Sequence, residues 1–357
     1  MTVGAGGEDS RSDTEAGPVA FGQGVLEIRE AVRAGGLFAR DRPLVAMLSG
    51  GRDSTCLLDL AVRIAGTGNV AALHVNYGLR ATADADERHC ASVCEALGVQ
   101  LDVRRPVRVG GGRSPGGGNL QAWARDERYR AAADLAVARS ADVAVGHTRS
   151  DQVETILYRL ASSPSRRAVL GMVARDGALI RPLLGFTRED TGAYCTTHGL
   201  RWRDDETNDS AAYARNRIRR ELVPALERVH PAAQENVLAL AEILRAEAEV
   251  LDDLVSATLD GRAEIPVERL RELPGALRRL VVQRLADDAA GGPAAGVARR
   301  AEDVAAMPVH GSSALDLPSG VRATARDGVL TFSRTPELGR RHGRSDGDEK
   351  PRGEAPS

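Results

Sequence analysis

The sequence predicts an α/β fold: a doubly wound parallel sheet, then a helical segment and a small α+β C-terminal domain. Three observations carry that prediction. Short apolar runs alternate with stretches of helical spacing from about Pro43 to Ala161. The first run turns through Gly50-Gly51 into a stretch with leucines on one helix face, the start of a βαβ unit. Beyond Tyr213 the pattern changes, first to long helical stretches and then to short strands with turn signals.

The strands expected in the first part are residues 44–48, 70–75, 101–103 and 143–145, and the helices between them 55–65, 84–97 and 121–138. Residues 1–20 and 335–357 are rich in small and charged residues and are expected to be a disordered leader and tail. Residues 21–211 form the expected catalytic domain, 212–260 a helical linker and 261–334 the small C-terminal domain. Gly110-Gly111-Gly112-Arg113-Ser114-Pro115-Gly116-Gly117-Gly118 is a low-complexity loop. Pro231 stands where a helix begins, ahead of a helical stretch to about Leu254. Residues 266–285 carry a helical pattern, and Asp327-Gly328 marks a turn between short strands.

Hydrophobic content of 42% and charged content of 27% are globular values. A net charge of −2 gives no global nucleic-acid signature, so any RNA contact has to come from a local basic patch. Lys350 is the only lysine, which leaves arginine, suited to bidentate phosphate contacts, as the basic residue of the chain. No apolar run is long enough to span a bilayer, and no signal-peptide pattern opens the chain. Cys56, Cys90, Cys94 and Cys195 form neither a disulfide framework nor a metal-ligand pattern, and a cytoplasmic address is expected.

Ser49-Gly50-Gly51-Arg52-Asp53-Ser54 lies between the first strand and its helix, where glycine-shaped backbone, a helix N-terminus and hydroxyls together favour an anion. It lacks the Gly-x-x-x-x-Gly-Lys-Ser/Thr of a Walker loop and the dinucleotide Gly-x-Gly-x-x-Gly. It looks like the pyrophosphate loop of enzymes that split ATP between its α- and β-phosphates; an ordinary βα turn is the bland alternative. Leu73-His74-Val75-Asn76-Tyr77-Gly78-Leu79-Arg80 ends the second strand on the ligand side of such a sheet. Gly146-His147-Thr148-Arg149-Ser150-Asp151-Gln152-Val153-Glu154-Thr155 follows the fourth strand. There Asp151 and Glu154 can face phosphates and hold Mg²⁺, or serve as a helix-capping pair with Asp151 at the N-cap. Tyr213-Ala214-Arg215-Asn216-Arg217-Ile218-Arg219-Arg220 offers arginines to phosphate, or a solvated charged face.

In order along the chain, these segments resemble the tRNA(Ile)-lysidine synthase family of the PP-loop (N-type) ATP pyrophosphatase superfamily. The resemblance also rests on Asn119, Gln121, Ala124-Arg125, Arg128-Tyr129, Leu170-Gly171-Met172, Arg181-Pro182-Leu183-Leu184, Trp202, Asp205, Thr207-Asn208 and Arg215-Asn216. It spans roughly residues 43–260 and extends more weakly to about 334, where Leu315-Asp316-Leu317-Pro318 is similar to the family's small RNA-binding domain. It implies an adenine nucleotide α-hydrolase-like sheet and a two-step ligation. The O2 of the wobble cytidine in a CAU-anticodon tRNA(Ile) attacks the ATP α-phosphate, releasing pyrophosphate; the ε-amino group of free L-lysine then attacks C2 and expels AMP.

The resemblance further implies that Ser49, Gly50, Gly51, Arg52, Asp53, Ser54, His74, Asn76, His147 and Asp151 bind the nucleotide. Asp53, Asp151 and Glu154 would hold Mg²⁺, with Asp53, Glu154 and Arg215 catalytic and Arg215 meeting transition-state charge. Asp151 or Glu154 could instead orient the lysine ammonium. Arginines of 121–130 and 215–220 would grip the tRNA backbone, and a homodimer is one expected assembly. The family's His after Asn76 is Tyr77 here, and its Arg-Gly-Ser-Gly stretch is replaced by Ala161-Ser162-Ser163-Pro164-Ser165-Arg166-Arg167. The chain also leaves no room for the second C-terminal domain of longer members. Rival readings are a 2-thiolation enzyme, which would need reactive or cluster-binding cysteines; an amidotransferase-type synthetase, which would want a glutaminase domain; and a non-catalytic nucleotide-binding RNA module.

Overall fold

The computed structural model describes residues 25–38, 42–79, 81–107, 120–163, 166–203 and 214–336. The expected leader, the loop 110–118, the segment 204–213 and all but the start of the expected tail lie outside the described residues. The chain divides into two compact units, residues 1–244 and 245–357.

The first unit opens with α1 (Val25–Ala34), β1 (Leu44–Met47), α2 (Arg52–Ala65), β2 (Val70–Val75), α3 (Ala83–Leu97), β3 (Gln100–Arg104), α4 (Leu120–Arg139), β4 (Asp142–Ala144) and α5 (Arg149–Ser162). It continues through α6 (Arg166–Val169), a hairpin of β5 (Arg175–Asp176) and β6 (Leu179–Ile180), α7 (Arg188–Thr197), α8 (Ala214–Arg217), α9 (Val223–Val229) and α10 (Ala233–Leu259), whose later part belongs to the second unit. The sheet order is β3-β2-β1-β4-β6-β5; every pairing is parallel except that of β5 with β6. The chain runs outward from β1 to β3 and returns to place β4 on the other side of β1. The crevice beyond the carboxyl ends of β1 and β4 is therefore the topological switch point, where this architecture binds ligands.

The central strand β1 reads as an unbroken apolar run because both its faces are covered. Leu44, Ala46, Val70, Ala72 and Ala144 pack with Cys56, Leu57, Leu60 and Ile64 of α2. The alternate residues Val45, Met47, Leu73 and Val143 pack on Ala132, Leu135 and Ala136 of α4. A third cluster joins Val153, Ile156 and Leu157 of α5 to Ile218, Leu238 and Ala241. Between α8 and α9, residues Ile218–Leu222 form a π turn, and Val223 donates its N–H to the Ile218 carbonyl. Pro224 explains the wide turn: it has no N–H for the carbonyl of residue 220, and its ring crowds that carbonyl.

The second unit holds β7 (Glu264–Pro266), α11 (Val267–Glu272), α12 (Gly275–Ala290), α13 (Ala301–Ala305), β8 (Ser312–Leu317), β9 (Val321–Arg326) and β10 (Val329–Arg334). Its antiparallel sheet has the order β7-β10-β9-β8 and packs on its helices through Val267, Leu270, Val281, Leu285, Ala323 and Leu330. The helix expected over 266–285 is instead two helices. Leu273, ahead of Pro274, is extended at ψ 143°, because a residue before proline is driven out of the helical region. Asp327 and Gly328 have φ 49° and 81°, the doubly left-handed turn that closes a two-residue hairpin. Among the described residues no helix is long and apolar enough to cross a membrane.

Candidate active site

The loop 49–54 is held from inside by its own hydroxyls. Ser54 Oγ donates to the Gly51 carbonyl at 2.9 Å and lies 3.0 Å from Ser49 Oγ, while the Ser49 N–H donates to Ser54 Oγ at 3.2 Å. Gly50 has φ +86°, and a Cβ there would meet Cys90 Sγ at 3.2 Å and His89 Cδ2 at 3.3 Å, so the position requires glycine. Gly51 is the N-cap of α2 and supplies no side-chain cap, which leaves the positive end of the helix for a ligand.

His74 supports the entry to this loop through Leu48, while Asn76 ties the end of β2 to α3. His74 is buried, with Nδ1 2.9 Å from the Leu48 carbonyl and 3.3 Å from Cys90 Sγ. Asn76 donates from Nδ2 to Asp84 and Glu87 at 3.1 and 2.9 Å and accepts the Gly78 N–H at 2.9 Å. Its side chain is committed to protein partners. His147, at the end of β4, is lowered to about 4, chiefly by burial and further by Arg181, Arg128 and Arg125, so it is neutral near pH 7. Its Nδ1 is buried without a hydrogen-bond partner.

Three carboxylates and three guanidiniums meet at the mouth of the loop. Asp53, in the first turn of α2, accepts from Thr191 Oγ1 of α7 at 2.5 Å on Oδ1. Burial raises its carboxyl, against the lowering influence of Thr191 and Arg188. Arg188 links two carboxylates, with Nε 3.7 Å from Asp53 Oδ2 and Nη2 3.6 Å from Asp151 Oδ1; Arg52 Nε lies 3.7 Å from Asp53 Oδ1. Glu154, 6% exposed, receives a two-pronged grip from Arg219, Nε to Oε1 at 2.5 Å and Nη2 to Oε2 at 3.0 Å. Arg219 also reaches Asp151 Oδ1 at 3.7 Å. The capping pair is Thr148 with Asp151 rather than Asp151 with Glu154: the Thr148 N–H and Oγ1 both donate to Asp151 Oδ2, at 2.9 and 3.0 Å. The helix starts one turn earlier than the sequence suggests, which leaves Glu154 free to take Arg219. Among the described residues no group of three or more His, Cys, Asp or Glu is placed to hold a metal ion.

Arg215 is exposed and has no ion pair with these carboxylates among the described residues; its recorded neighbour is Arg159, whose guanidinium burial and then Arg215 lower. Arg219, one helical turn on, is the arginine of this run that reaches Asp151 and Glu154. Reasoning from sequence also missed Arg188 and Thr191. The one local signal there is the Thr187/Asp190 capping box that starts α7, with the Thr187 N–H donating to Asp190 Oδ2 at 2.8 Å and the Asp190 N–H to Thr187 Oγ1 at 3.1 Å.

Beside the carboxylates lies a basic group. Arg125 and Arg128 stand over the Tyr129 ring at 4.8 and 5.6 Å, and Arg125 and Arg181 are close enough to Arg159 to add to the lowering that burial and Arg215 impose on it. Gln152 of α5 fixes the loop after α6 by exchanging two hydrogen bonds with the Met172 backbone, at 2.7 and 2.6 Å. Asn119, Asp205, Thr207, Asn208 and Tyr213 lie outside the described residues. The four cysteines are free and buried.

The PP-loop domain family matches residues 26–226. A U34-tRNA thiolase of Methanococcus maripaludis shares the fold, with a TM-score of 0.52 at 17% identity over 62% of this chain and 78% of the thiolase. Sheet, loop and family match define the chain as a PP-loop protein. The tRNA(Ile)-lysidine synthase of Symbiobacterium thermophilum is 36% identical over 87% of this chain and 70% of its own length. That of Rhodococcus erythropolis is 37% identical over 71% and 77%, and that of Pseudomonas fluorescens 40% over 62% and 50%. The chain belongs to the tRNA(Ile)-lysidine synthase family. It spans about half the length of the Pseudomonas relative.

Proposed function

We propose that the chain is an ATP-dependent ligase that joins free L-lysine to C2 of the wobble cytidine of a CAU-anticodon tRNA(Ile), releasing pyrophosphate and AMP. One observation carries the reading: Asp53 and the pair Asp151/Glu154, far apart in sequence, are tied together by Arg188 and Arg219 at the mouth of an uncapped anion loop. The named relatives supply the tRNA and the amino acid.

The loop amides and hydroxyls would stabilise the pyrophosphate as cytidine O2 attacks the α-phosphate, since donors fixed before the reaction need no reorganisation during it. The basic group of Arg125, Arg128, Arg159 and Arg181, with exposed Arg215, suits the phosphates of the anticodon arm. Neutral His147 can accept or donate one hydrogen bond without adding charge.

Mg²⁺ fits two of the three carboxylates. Among the described residues, the polar neighbours of Asp53 Oδ2 and Asp151 Oδ1 are guanidiniums at 3.6–3.7 Å, and Mg²⁺ commonly takes one or two carboxylates together with substrate phosphates. Bound there, it would neutralise polyphosphate charge. Glu154, with both oxygens on Arg219, acts in this proposal by positioning that arginine.

The test is incubation of the purified chain with ATP, labelled lysine and the tRNA. Lysine incorporation with stoichiometric AMP and pyrophosphate is expected; ATP binding with no lysine transfer, or sulfur transfer to the tRNA, overturns the assignment.

A further inference from the structure

The two carboxylate oxygens that flank Arg188 are those that no hydrogen bond among the described residues has claimed. Thr191 takes Asp53 Oδ1, and Thr148 takes Asp151 Oδ2 through both its N–H and its hydroxyl. What remains is Asp53 Oδ2 and Asp151 Oδ1, with the Arg188 guanidinium between them at 3.7 and 3.6 Å. Both distances lie beyond hydrogen-bonding range. Arg188 Nε is buried with no hydrogen-bond partner, and the same holds for Arg52 Nε on the other side of Asp53.

The contrast with Arg219 is chemical. Arg219 spends two donors on Glu154 in a fork at 2.5 and 3.0 Å, as a guanidinium does when its partner is permanent. Arg188 is held by charge alone, on the first turn of α7, with its own carbonyl accepting from Thr191 Oγ1 at 3.0 Å. A buried donor left unmade is costly, so a site that keeps two of them beside an anion loop is built for an acceptor that arrives later.

We propose that Arg188 is an exchangeable counter-cation. In the protein by itself it occupies the place of a divalent cation between Asp53 and Asp151. With Mg²⁺ and ATP bound, Asp53 and Asp151 would hold the cation and Arg188 would turn its donors onto the pyrophosphate. This rests on the ATP reading above and adds to it a residue and an order of events. Arg188 shares these carboxylates with Arg52, 3.7 Å from Asp53, and Arg219, 3.7 Å from Asp151; a divalent ion between the two carboxylates would free the Arg188 guanidinium for the departing pyrophosphate, whose negative charge grows as the α–β bond breaks.

The test uses Mn²⁺ alone on the whole chain, followed by the EPR signal of the free ion, without nucleotide. Arg188→Gln is expected to bind Mn²⁺ about tenfold tighter than the unaltered protein. Arg188→Lys, whose shorter ammonium cannot span both carboxylates, should fall between, and it carries the test if Arg188→Gln does not fold. Adding Asp53→Asn to Arg188→Gln should remove the gain. With saturating Mn²⁺, the same variants should bind inorganic pyrophosphate about tenfold more weakly by calorimetry. Equal Mn²⁺ affinity with and without Arg188 overturns the cation half, and unchanged pyrophosphate affinity overturns the exchange. Neither readout involves lysine transfer, so failure here is separable from failure of the ligase assignment.

Discussion

Gly146→Ala should damage the site while adding one methyl group. Gly146 follows β4 where the sheet end touches the first turn of α2. A Cβ there would lie 3.0 Å from the Asp53 carbonyl oxygen, 3.1 Å from its carbon and 3.2 Å from the Ser54 nitrogen. Ordinary contact begins at 3.4 Å, so the backbones must separate by up to 0.4 Å (3.4 − 3.0). The obstructing atoms are main chain and cannot rotate away. Nor can α2 recede easily, since Thr191 holds Asp53 and the Thr55 N–H is bonded to the Gly51 carbonyl at 3.0 Å. Overpacking of this kind costs about 1–3 kcal/mol, which lowers the melting temperature of a unit this size by about 2–4 °C per kcal/mol. Because a shift of about 1 Å costs on the order of a hundredfold in rate, a shift of this size should lower kcat about tenfold. The measurements are a thermal melt and the rate of AMP release. Gly68→Ala is the control, because nothing lies within 4 Å of a Cβ at that position. If Gly146→Ala melts and turns over like Gly68→Ala, the close approach of β4 to the loop does not set the position of Asp53.

Asp53→Asn should abolish turnover, leave tRNA binding largely intact and raise the melting temperature near pH 7. The sign follows from burial, which raises the folded carboxyl above the ordinary aspartate value of 3.8: stability is lost as pH rises through the window above 3.8, and the amide escapes that loss. Melts of the pair at pH 7 and pH 4 check this, and a difference that grows toward pH 4 contradicts it. His147 has the opposite sign. Its folded value of about 4 lies below the ordinary histidine value of 6.5, so its contribution is present above 6.5 and is lost as pH falls toward 4. His147→Gln should flatten that limb of the stability profile, and a variant as acid-sensitive as its parent would show that the ring is not the source. Arg215→Ala and Arg219→Ala should part company. The first, at an exposed position, should weaken tRNA binding with little change in melting temperature. The second strands the buried Glu154 carboxylate and should cost about 2–3 kcal/mol along with kcat; equal melts for the two variants would contradict the assignment of Arg219 as the buried partner.

The parts of this fold legible in the sequence are those where one physical rule acts alone. A strand covered on both faces is apolar almost throughout, and 70–75, where His74 is the one polar residue, is read to the residue because Val70–Val75 has no solvent face to blur it. The loop 49–54 is legible because a glycine at φ +86° leaves a sequence mark. The hairpin of β5 and β6 is not, since two-residue strands are too short to show a period, although Asp176-Gly177 marks its turn. Arg188 and Thr191 carry no such mark either. They reach Asp53 only because α7 packs along α2, where Gly192 would place a Cβ 3.1 Å from Arg52 Cδ and Tyr194 donates to Asp59 at 2.5 Å. That is long-range packing, which spacing cannot report. Arg215 and Arg219 pose a different problem, because they are chemically identical and four residues apart, so residue type cannot choose between them. The choice is made by Ile218, which is buried against α5 and sets the phase of the run. Arg219, directly after it, is carried to Asp151 and Glu154, whereas Arg215, a turn earlier, faces solvent.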